Sequence, residues 1–345
     1  MELEHRLAEF CAISAPSGFE EKAAKAMVEA LKPYTNEAYI DRFGNAVGIL
    51  RCGLPNAKRV LLDAHLDEVG LIVTGAEEGF LRFRSIGGVD GRILPDREVT
   101  ILTEPPIFGV IACLPPHVQE AADQNTATPI SDLWIDVGMG QEMAESRVPV
   151  GTPVVFRREF SLLQGDFCAG NALDDRAGLV ALLRAAEFLQ GKNLSVDVIF
   201  MGSSREETGG SGAAVGTFAL EPDFCIAVDV THGKTPDSTK EESFPLGKGP
   251  AIGIGPNMTR WMSQGLMETA QGMELSYQRE VMAGNSGTNG WKMQVTREGL
   301  PTAVVSIPLR YMHTPNEVMK LSDLEDTAAL LSGYVQTLGE VDKPC

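Results

Sequence analysis

The sequence has few basic residues for its length. Its 345 residues include 29 Lys and Arg against 47 Asp and Glu, which gives a formal net charge of −18. Nucleic acids and anionic membrane surfaces are bound by clusters of positive charge, and no basic stripe is present here to meet phosphate groups. We therefore expect neither nucleic acid nor a membrane among the partners.

Long apolar runs and paired cysteines are also absent. No stretch reaches the roughly 18 apolar residues of a membrane-spanning helix. Residues 1–6 carry acids where a secretory signal has basic residues. The six cysteines are scattered and form no Cys-x-x-Cys pair, so the sequence predicts neither a disulfide framework nor a zinc ribbon. These absences predict a cytoplasmic protein.

Four short apolar runs each end at residue types that bind metals. Such runs, separated by helical patterns, are typical of buried strands in an open α/β sheet. Ligands of these sheets bind beyond the carboxyl ends of the strands. We therefore predict an α/β fold with its site at that edge. The residues that follow the four runs are His65 and Asp67, Glu206 and Glu207, Asp229, and His313.

The segment from Gly70 to about Gln164 has a different texture. Short alternating segments lie between Gly and Pro clusters, which is typical of a small β-rich barrel or sandwich. Metal-binding residue types flank this segment on both sides. We therefore predict one catalytic α/β domain, formed by residues 1–69 and 165–345, with an inserted β-rich domain at 70–164.

Two acidic pairs and a His-x-Asp pattern suggest chemistry. His65 and Asp67 are two apart on a strand, so the Asp can accept the second ring N–H of the His and fix its tautomer. Asp174 and Asp175 begin a helix; one could be an N-cap, but both cannot, and a carboxylate can bridge two divalent ions. A histidine paired with a loop carboxylate and a capped helix are the structural alternatives.

Glu206 and Glu207 follow a strand of apolar residues. One acid of such a pair can bind metal while the other serves as general base, although a solvated acidic loop is the alternative. Asp229 and His313 would add one oxygen and one nitrogen. One imidazole and one carboxylate per ion, with a shared carboxylate, suit two cations and leave positions for water and substrate. The other histidines, His5, His117 and His232, are interpreted as structural.

Together these motifs resemble the dinuclear-metal aminopeptidases of the glutamyl aminopeptidase and tetrahedral (TET) aminopeptidase type, some of which are labelled cellulase or endoglucanase. The resemblance extends over nearly the whole chain. It rests on Ser17-Gly-Phe-Glu20, Asp41-Arg-Phe-Gly-Asn45, His65-Leu-Asp67-Glu-Val-Gly70, Gly87-Gly-Val-Asp-Gly-Arg92, Ala172-Leu-Asp-Asp-Arg176 and Arg310-Tyr-Met-His313.

The resemblance implies a mixed-sheet α/β metallopeptidase domain with an inserted small β-barrel domain that serves in oligomerisation. It implies homo-oligomers, from dimers to dodecamers. It also implies two divalent ions per subunit, with zinc expected first and cobalt or manganese as alternatives. In this resemblance Asp174 bridges the ions, Glu206 is the general base and Asp67 is the partner of His65. The implied metal ligands are His65, Asp174, Glu207, Asp229 and His313.

The leading hypothesis is a metal-dependent aminopeptidase that hydrolyses the N-terminal residue from peptide substrates. Water activated by two metals would attack the scissile carbonyl while Glu206 accepts its proton. The alternatives are a related dinuclear amidohydrolase, such as an N-acyl amino acid deacylase or a carboxypeptidase, and a non-catalytic assembly or binding protein. A glycosidase ranks last because hydrolysis by two carboxylates requires no metal.

One motif departs from the family pattern. This chain has Gly287-Thr-Asn289-Gly290 where the family usually has Gly-Thr-Asp-Ala. If the loop borders the pocket for the first side chain of the substrate, the neutral amide weakens a preference for basic residues.

Overall fold

The computed structural model contains a large mixed β-sheet flanked by helices and a separate closed β-barrel. It describes residues 3–115, 118, 126–239 and 242–339. His117 and Cys345 lie outside the described residues. No helix in these ranges is both long and apolar enough to cross a membrane.

The elements alternate along the chain as the α/β prediction requires. The helices are α1 (Leu3–Cys11), α2 (Glu21–Leu31), α3 (Gln141–Arg147), α4 (Leu173–Phe188), α5 (Ser211–Leu220), α6 (Arg260–Gly272), α7 (Gly290–Met293) and α8 (Leu321–Thr337). The strands of the large sheet are β1 (Glu37–Ile40), β2 (Ala46–Leu50), β3 (Lys58–His65), β10 (Phe160–Leu162), β11 (Phe167–Gly170), β12 (Val196–Ser203), β13 (Phe224–His232), β14 (Ala251–Ile254), β15 (Gln278–Val281), β16 (Thr302–Arg310) and β17 (Glu317–Lys320). The barrel strands are β4 (Gly70–Glu77), β5 (Phe80–Ile86), β6 (Glu98–Ile101), β7 (Ile107–Ala112), β8 (Trp134–Asp136) and β9 (Pro153–Phe156).

The centre of the large sheet confirms the prediction from the four apolar runs. Strands β12, β3, β13 and β16 are neighbours in that order and pair in parallel. The register places Ser203 beside His65 and Asp229 beside Ser306. Because parallel strands end at the same edge of a sheet, the residues that follow these runs are brought together.

Helices cover both faces of this central region, which explains why its strands are continuously apolar. One face packs against α1, α2, α4, α6 and α8, and the other packs against α5 and α7. Helix α4 is buried along most of its length, and its predicted apolar positions Leu179, Leu182, Leu183 and Ala186 are fully buried. This helix therefore holds its N-terminal acids against the edge where the parallel strands end.

The inserted β-rich segment forms a closed barrel in the order β4-β5-β8-β7-β6-β9. It has an apolar core of its own, in which Leu81, Val99, Ile101 and Ile135 are fully buried. The predicted fold class, an α/β sheet with a small β-barrel, is thus confirmed. The predicted domain boundaries at 70 and 164 stay a prediction.

Candidate metal centre

The side chains predicted to bind metal converge at the carboxyl edge of the parallel strands. His65 Nε2 lies 3.0 Å from Asp174 Oδ1 and 3.9 Å from Asp229 Oδ1. His313 Nε2 lies 3.3 Å from Asp174 Oδ2 and 3.4 Å from Glu207 Oε2. Asp174 therefore presents one oxygen to each histidine. The arrangement consists of two donor groups, His65 with Asp229 and His313 with Glu207, that share one carboxylate.

Each donor comes from a different element. His65 ends β3 and Asp229 lies in β13, whereas Glu207 and His313 lie in the turns after β12 and β16. Asp174 lies at the start of α4, where its backbone angles are not helical. The site is therefore assembled by the sheet register together with one helix N-terminus.

Asp175, the second acid of its pair, has a different role from Asp174. Its Oδ1 accepts a hydrogen bond from the backbone N–H of Gly178 at 2.9 Å, which is the capping contact expected of one of the two acids. Its Oδ2 accepts from the backbone N–H of His65 at 3.2 Å. A carboxylate oxygen of Asp175 also clusters with donor atoms of His65 and Asp229, all within 4.8 Å of one another. Asp175 thus ties β3 to α4 at the base of the cluster.

Asp67 lies beside the second ring nitrogen of His65 and also contacts the turn after β12; its role as the partner of His65 stays a prediction. His65 Nδ1 lies 3.0 Å from the backbone carbonyl oxygen of Asp67 and 3.6 Å from its carboxylate. The carboxylate also accepts the backbone N–H groups of Glu206 and Glu207, each at 3.0 Å. Both carboxylate oxygens of Asp67 therefore bind the turn after β12, and its backbone carbonyl contacts the His65 imidazole.

Glu20 extends this support to the turn that carries Glu206. Its Oε1 accepts the backbone N–H of Arg205 at 3.0 Å and that of Gly18 at 2.7 Å. Three successive N–H groups of the turn, from Arg205 to Glu207, are thus bound by two carboxylates. Sequence reasoning noted Glu20 only as part of a family motif, because nothing local to Glu20 indicates a partner 185 residues away.

Glu317 is a further acid that sequence reasoning missed. It is buried, and its Oε2 accepts the backbone N–H of Asp174 at 3.1 Å while its Oε1 accepts that of His313 at 2.9 Å. One carboxylate thus joins the backbones that carry two predicted ligands. Its spacing of four residues after His313 was the only available signal.

The carboxylates create a strongly negative field around the two histidines. Burial opposes a charged His65, but Asp174 and Asp67 outweigh it and raise the pKa of His65 well above its usual value. Burial likewise opposes a charged His313, but Asp174 and Glu207 raise its pKa to about 9. Burial and the neighbouring Asp174 raise the pKa of Glu207 to about 8. Such a field favours added positive charge, and imidazole and carboxylate donors suit zinc, cobalt and manganese.

Glu206 precedes Glu207 in the same supported turn. It is partly buried, and this burial raises the pKa of its carboxyl group. Its carboxylate belongs to neither donor group and lies next to the cluster.

Asn289 is held by side chains of two neighbouring strands. Its side chain is buried, and its Nδ2 donates to Asp63 Oδ2 and to Ser203 Oγ, each at 2.8 Å. The amide therefore links β3 to β12 beneath the cluster. The expected effect of Asn289 on the preference for basic residues stays a prediction.

The chain is similar to known peptidases along most of its length. Residues 44–330 match the family model described as M42 glutamyl aminopeptidase. The lysyl aminopeptidase of Pyrococcus furiosus is 35% identical over 332 residues, which cover 94% of each chain. The structure of a TET aminopeptidase from Thaumarchaeota archaeon SCGC AB-539-E09 matches with a TM-score of 0.92, at 27% identity and 98% coverage of both chains. The TET1 peptidase of Pyrococcus horikoshii, which can assemble into a tetrahedron or a large octahedral shell, matches with a TM-score of 0.86, at 31% identity, over 98% of this chain and 100% of that chain.

Proposed function

Because the chain belongs to the M42 glutamyl aminopeptidase family and is a peptide hydrolase, we propose that it removes the N-terminal residue of peptides with two divalent ions bound at the cluster. The observation that carries this proposal is the position of Asp174, whose two oxygens each face a different histidine. A carboxylate in that position suits a pair of ions that share one ligand.

The residues divide into two ligand groups and a base. His65 and Asp229 would hold one ion and His313 and Glu207 the other, with Asp174 shared between them. Zinc is the first expected metal, with cobalt or manganese as alternatives. When bound, the ions supply a polarised scissile carbonyl and a water that is nucleophilic near neutral pH.

Glu206 is the general base in this proposal. Its carboxylate takes a proton from the attacking water as the new carbon–oxygen bond forms at the scissile carbonyl. It then gives that proton to the peptide nitrogen as the carbon–nitrogen bond breaks, so the amine leaves neutral. Asp67 positions this base, because its carboxylate holds the backbone N–H groups of Glu206 and Glu207.

The assembly state is part of the same proposal. The TET1 peptidase of P. horikoshii forms large shells, and we propose that this chain is also a homo-oligomer. In this proposal residues 70–164 form the oligomerisation domain, and residues 1–69 and 165–345 form the catalytic domain. Cytoplasmic location stays a prediction.

The test is hydrolysis of a panel of aminoacyl amides, each with a free and with an acylated α-amine. The panel is measured before chelation, after chelation, and after zinc, cobalt or manganese is added back. We expect free-amine substrates to be cleaved, activity to disappear with chelator, and metal to restore it. Faster cleavage of the acylated series would instead indicate a deacylase. Inactivity on every substrate with both ions bound would indicate a non-catalytic role.

A further inference from the structure

A loop of the inserted barrel touches the predicted metal ligands. Gly87 and Gly88 follow directly after β5 of the barrel. The backbone carbonyl of Gly88 lies 3.0 Å from His313 Nδ1, across 225 residues of sequence. A Cβ atom added to Gly87 would lie 3.3 Å from Glu207 Cβ. One barrel loop therefore contacts His313 and passes close to Glu207.

This contact requires Nδ1 of His313 to carry a proton. A carbonyl oxygen can only accept a hydrogen bond, so Nδ1 must be the protonated nitrogen. In the singly protonated ring that a metal requires, Nε2 is then the nitrogen with the lone pair, and it lies on the side of Asp174 and Glu207, 3.3 and 3.4 Å away. Histidines that bind metals commonly have their second N–H held in this way by a carbonyl or carboxylate.

A side chain at residue 88 would press on the imidazole. A Cβ atom added to Gly88 would lie 3.4 Å from His313 Cε1 and only 3.1 Å from Nδ1, so the ring would have to shift by a few tenths of an ångström. The backbone does not demand glycine here, because Gly88 is not among the residues with positive φ. The neighbouring ring, and not backbone conformation, therefore accounts for glycine at this position.

His313 has little other support for its ring. It lies in a turn after β16, its own φ is +61°, and its side chain is 31% exposed. Glu317 holds its backbone N–H, but that contact does not set the rotation of the imidazole. The Gly88 carbonyl is the contact that fixes the ring plane from the side opposite the ligands.

We propose that Gly88 is a positioning residue of the metal centre, through which the inserted barrel holds His313 in the tautomer and orientation that bind the second ion. This inference rests on the two-ion site of the proposed function. It makes the barrel a participant in that site in addition to any role in assembly.

The test compares Gly88→Ala with Gly75→Ala by metal titration of the apoprotein. Gly75 is a matched control, because it lies in the same barrel, has no positive φ, and would place a Cβ more than 4 Å from every atom outside its two neighbours in the chain. We expect Gly88→Ala to bind one ion as tightly as the wild type and the other about 10- to 100-fold more weakly. Gly75→Ala should bind both ions as the wild type does.

The same titration in a His313→Ala background separates positioning from a general structural effect. If Gly88 acts through the ring, adding Gly88→Ala to His313→Ala leaves metal affinity unchanged. The added methyl group is also tolerated there if Gly88→Ala alone misfolds, because the ring that it meets is gone. A further loss of affinity or folding in the double variant overturns the inference.

Two outcomes distinguish this inference from the proposed function. A wild-type protein that binds two ions, with a Gly88→Ala variant that binds both equally well, overturns the role of Gly88 alone. A wild-type protein that binds no divalent ion overturns the two-ion site, and the role of Gly88 with it.

Discussion

Replacement of Glu317 by Gln tests whether the backbones of two predicted ligands must be held together. The carboxylate accepts one backbone N–H with each oxygen, from Asp174 at 3.1 Å and from His313 at 2.9 Å. Gln has the same shape but offers one acceptor oxygen, and its amide group turns a donor towards the other N–H. One of the two backbone donors is then left without a partner in a buried setting.

The cost can be worked from these contacts. A buried donor left unsatisfied costs about 1–3 kcal/mol, with hydrogen bonds to charged groups at the upper end. If about 2 kcal/mol of this cost weakens metal binding, the affinity for the ion beside His313 falls about 30-fold, because each 1.4 kcal/mol is a tenfold change.

Glu280→Gln is a control with different partners. Its two oxygens accept from the hydroxyls of Thr231 at 2.6 Å and Ser306 at 2.8 Å. A hydroxyl can rotate to accept from the Gln amide, whereas a backbone N–H cannot. We therefore expect metal affinity in this variant to stay within about threefold of the wild type.

Competition with a chelator of known affinity measures both variants, and urea unfolding of the apoproteins checks that each one folds. We expect weaker binding of one ion in Glu317→Gln and unchanged binding in Glu280→Gln. Wild-type affinity for both ions in Glu317→Gln, or an equal loss in Glu280→Gln, would refute it.

The remaining predictions concern three aspartates. Asp174→Ala removes the shared ligand, and elemental analysis should find both ions lost. In Asp67→Asn, an amide NH2 group replaces one of the two oxygens that accept the backbone N–H groups of Glu206 and Glu207, so one of these N–H groups loses its acceptor. We therefore expect kcat to fall at least about tenfold in steady-state assays while KM changes little. Burial opposes the charge of Asp197, but the N–H of Cys52 and the guanidinium of Arg51 lower its pKa. Its stabilising contribution is therefore present above about pH 4 and is lost as pH falls further, and Asp197→Asn should flatten this part of the pH dependence of unfolding.

The donor cluster could be foreseen because short-range rules govern it. An apolar run predicts a buried strand, and parallel strands end at one edge, so His65 and Asp229 had to be neighbours. Adjacent acids at a helix start predicted that Asp174 and Asp175 would differ in role, and they do. The β-rich insert could also be predicted. Closure of its strands into a barrel rather than a sandwich could not, because it depends on strand registers that the alternation of apolar and polar residues does not encode.

The supporting contacts could not be foreseen, because they join distant residues through backbone groups. Glu317 binds an N–H 143 residues away, and Gly88 meets a ring 225 residues away. Backbone donors are the same at every residue, so no pattern marks them. The same reason explains why the turn contacts of Asp67 were not foreseen, since its carboxylate also accepts two backbone N–H groups.

The most direct test of the account is turnover by Glu206→Gln protein loaded with metal, since this residue is proposed to move the proton without binding an ion. Peptide hydrolysis and metal content are measured on the same sample. We expect hydrolysis to be abolished while both ions are retained. Retained hydrolysis, or loss of an ion from this variant, would contradict the assignment of Glu206 as the base.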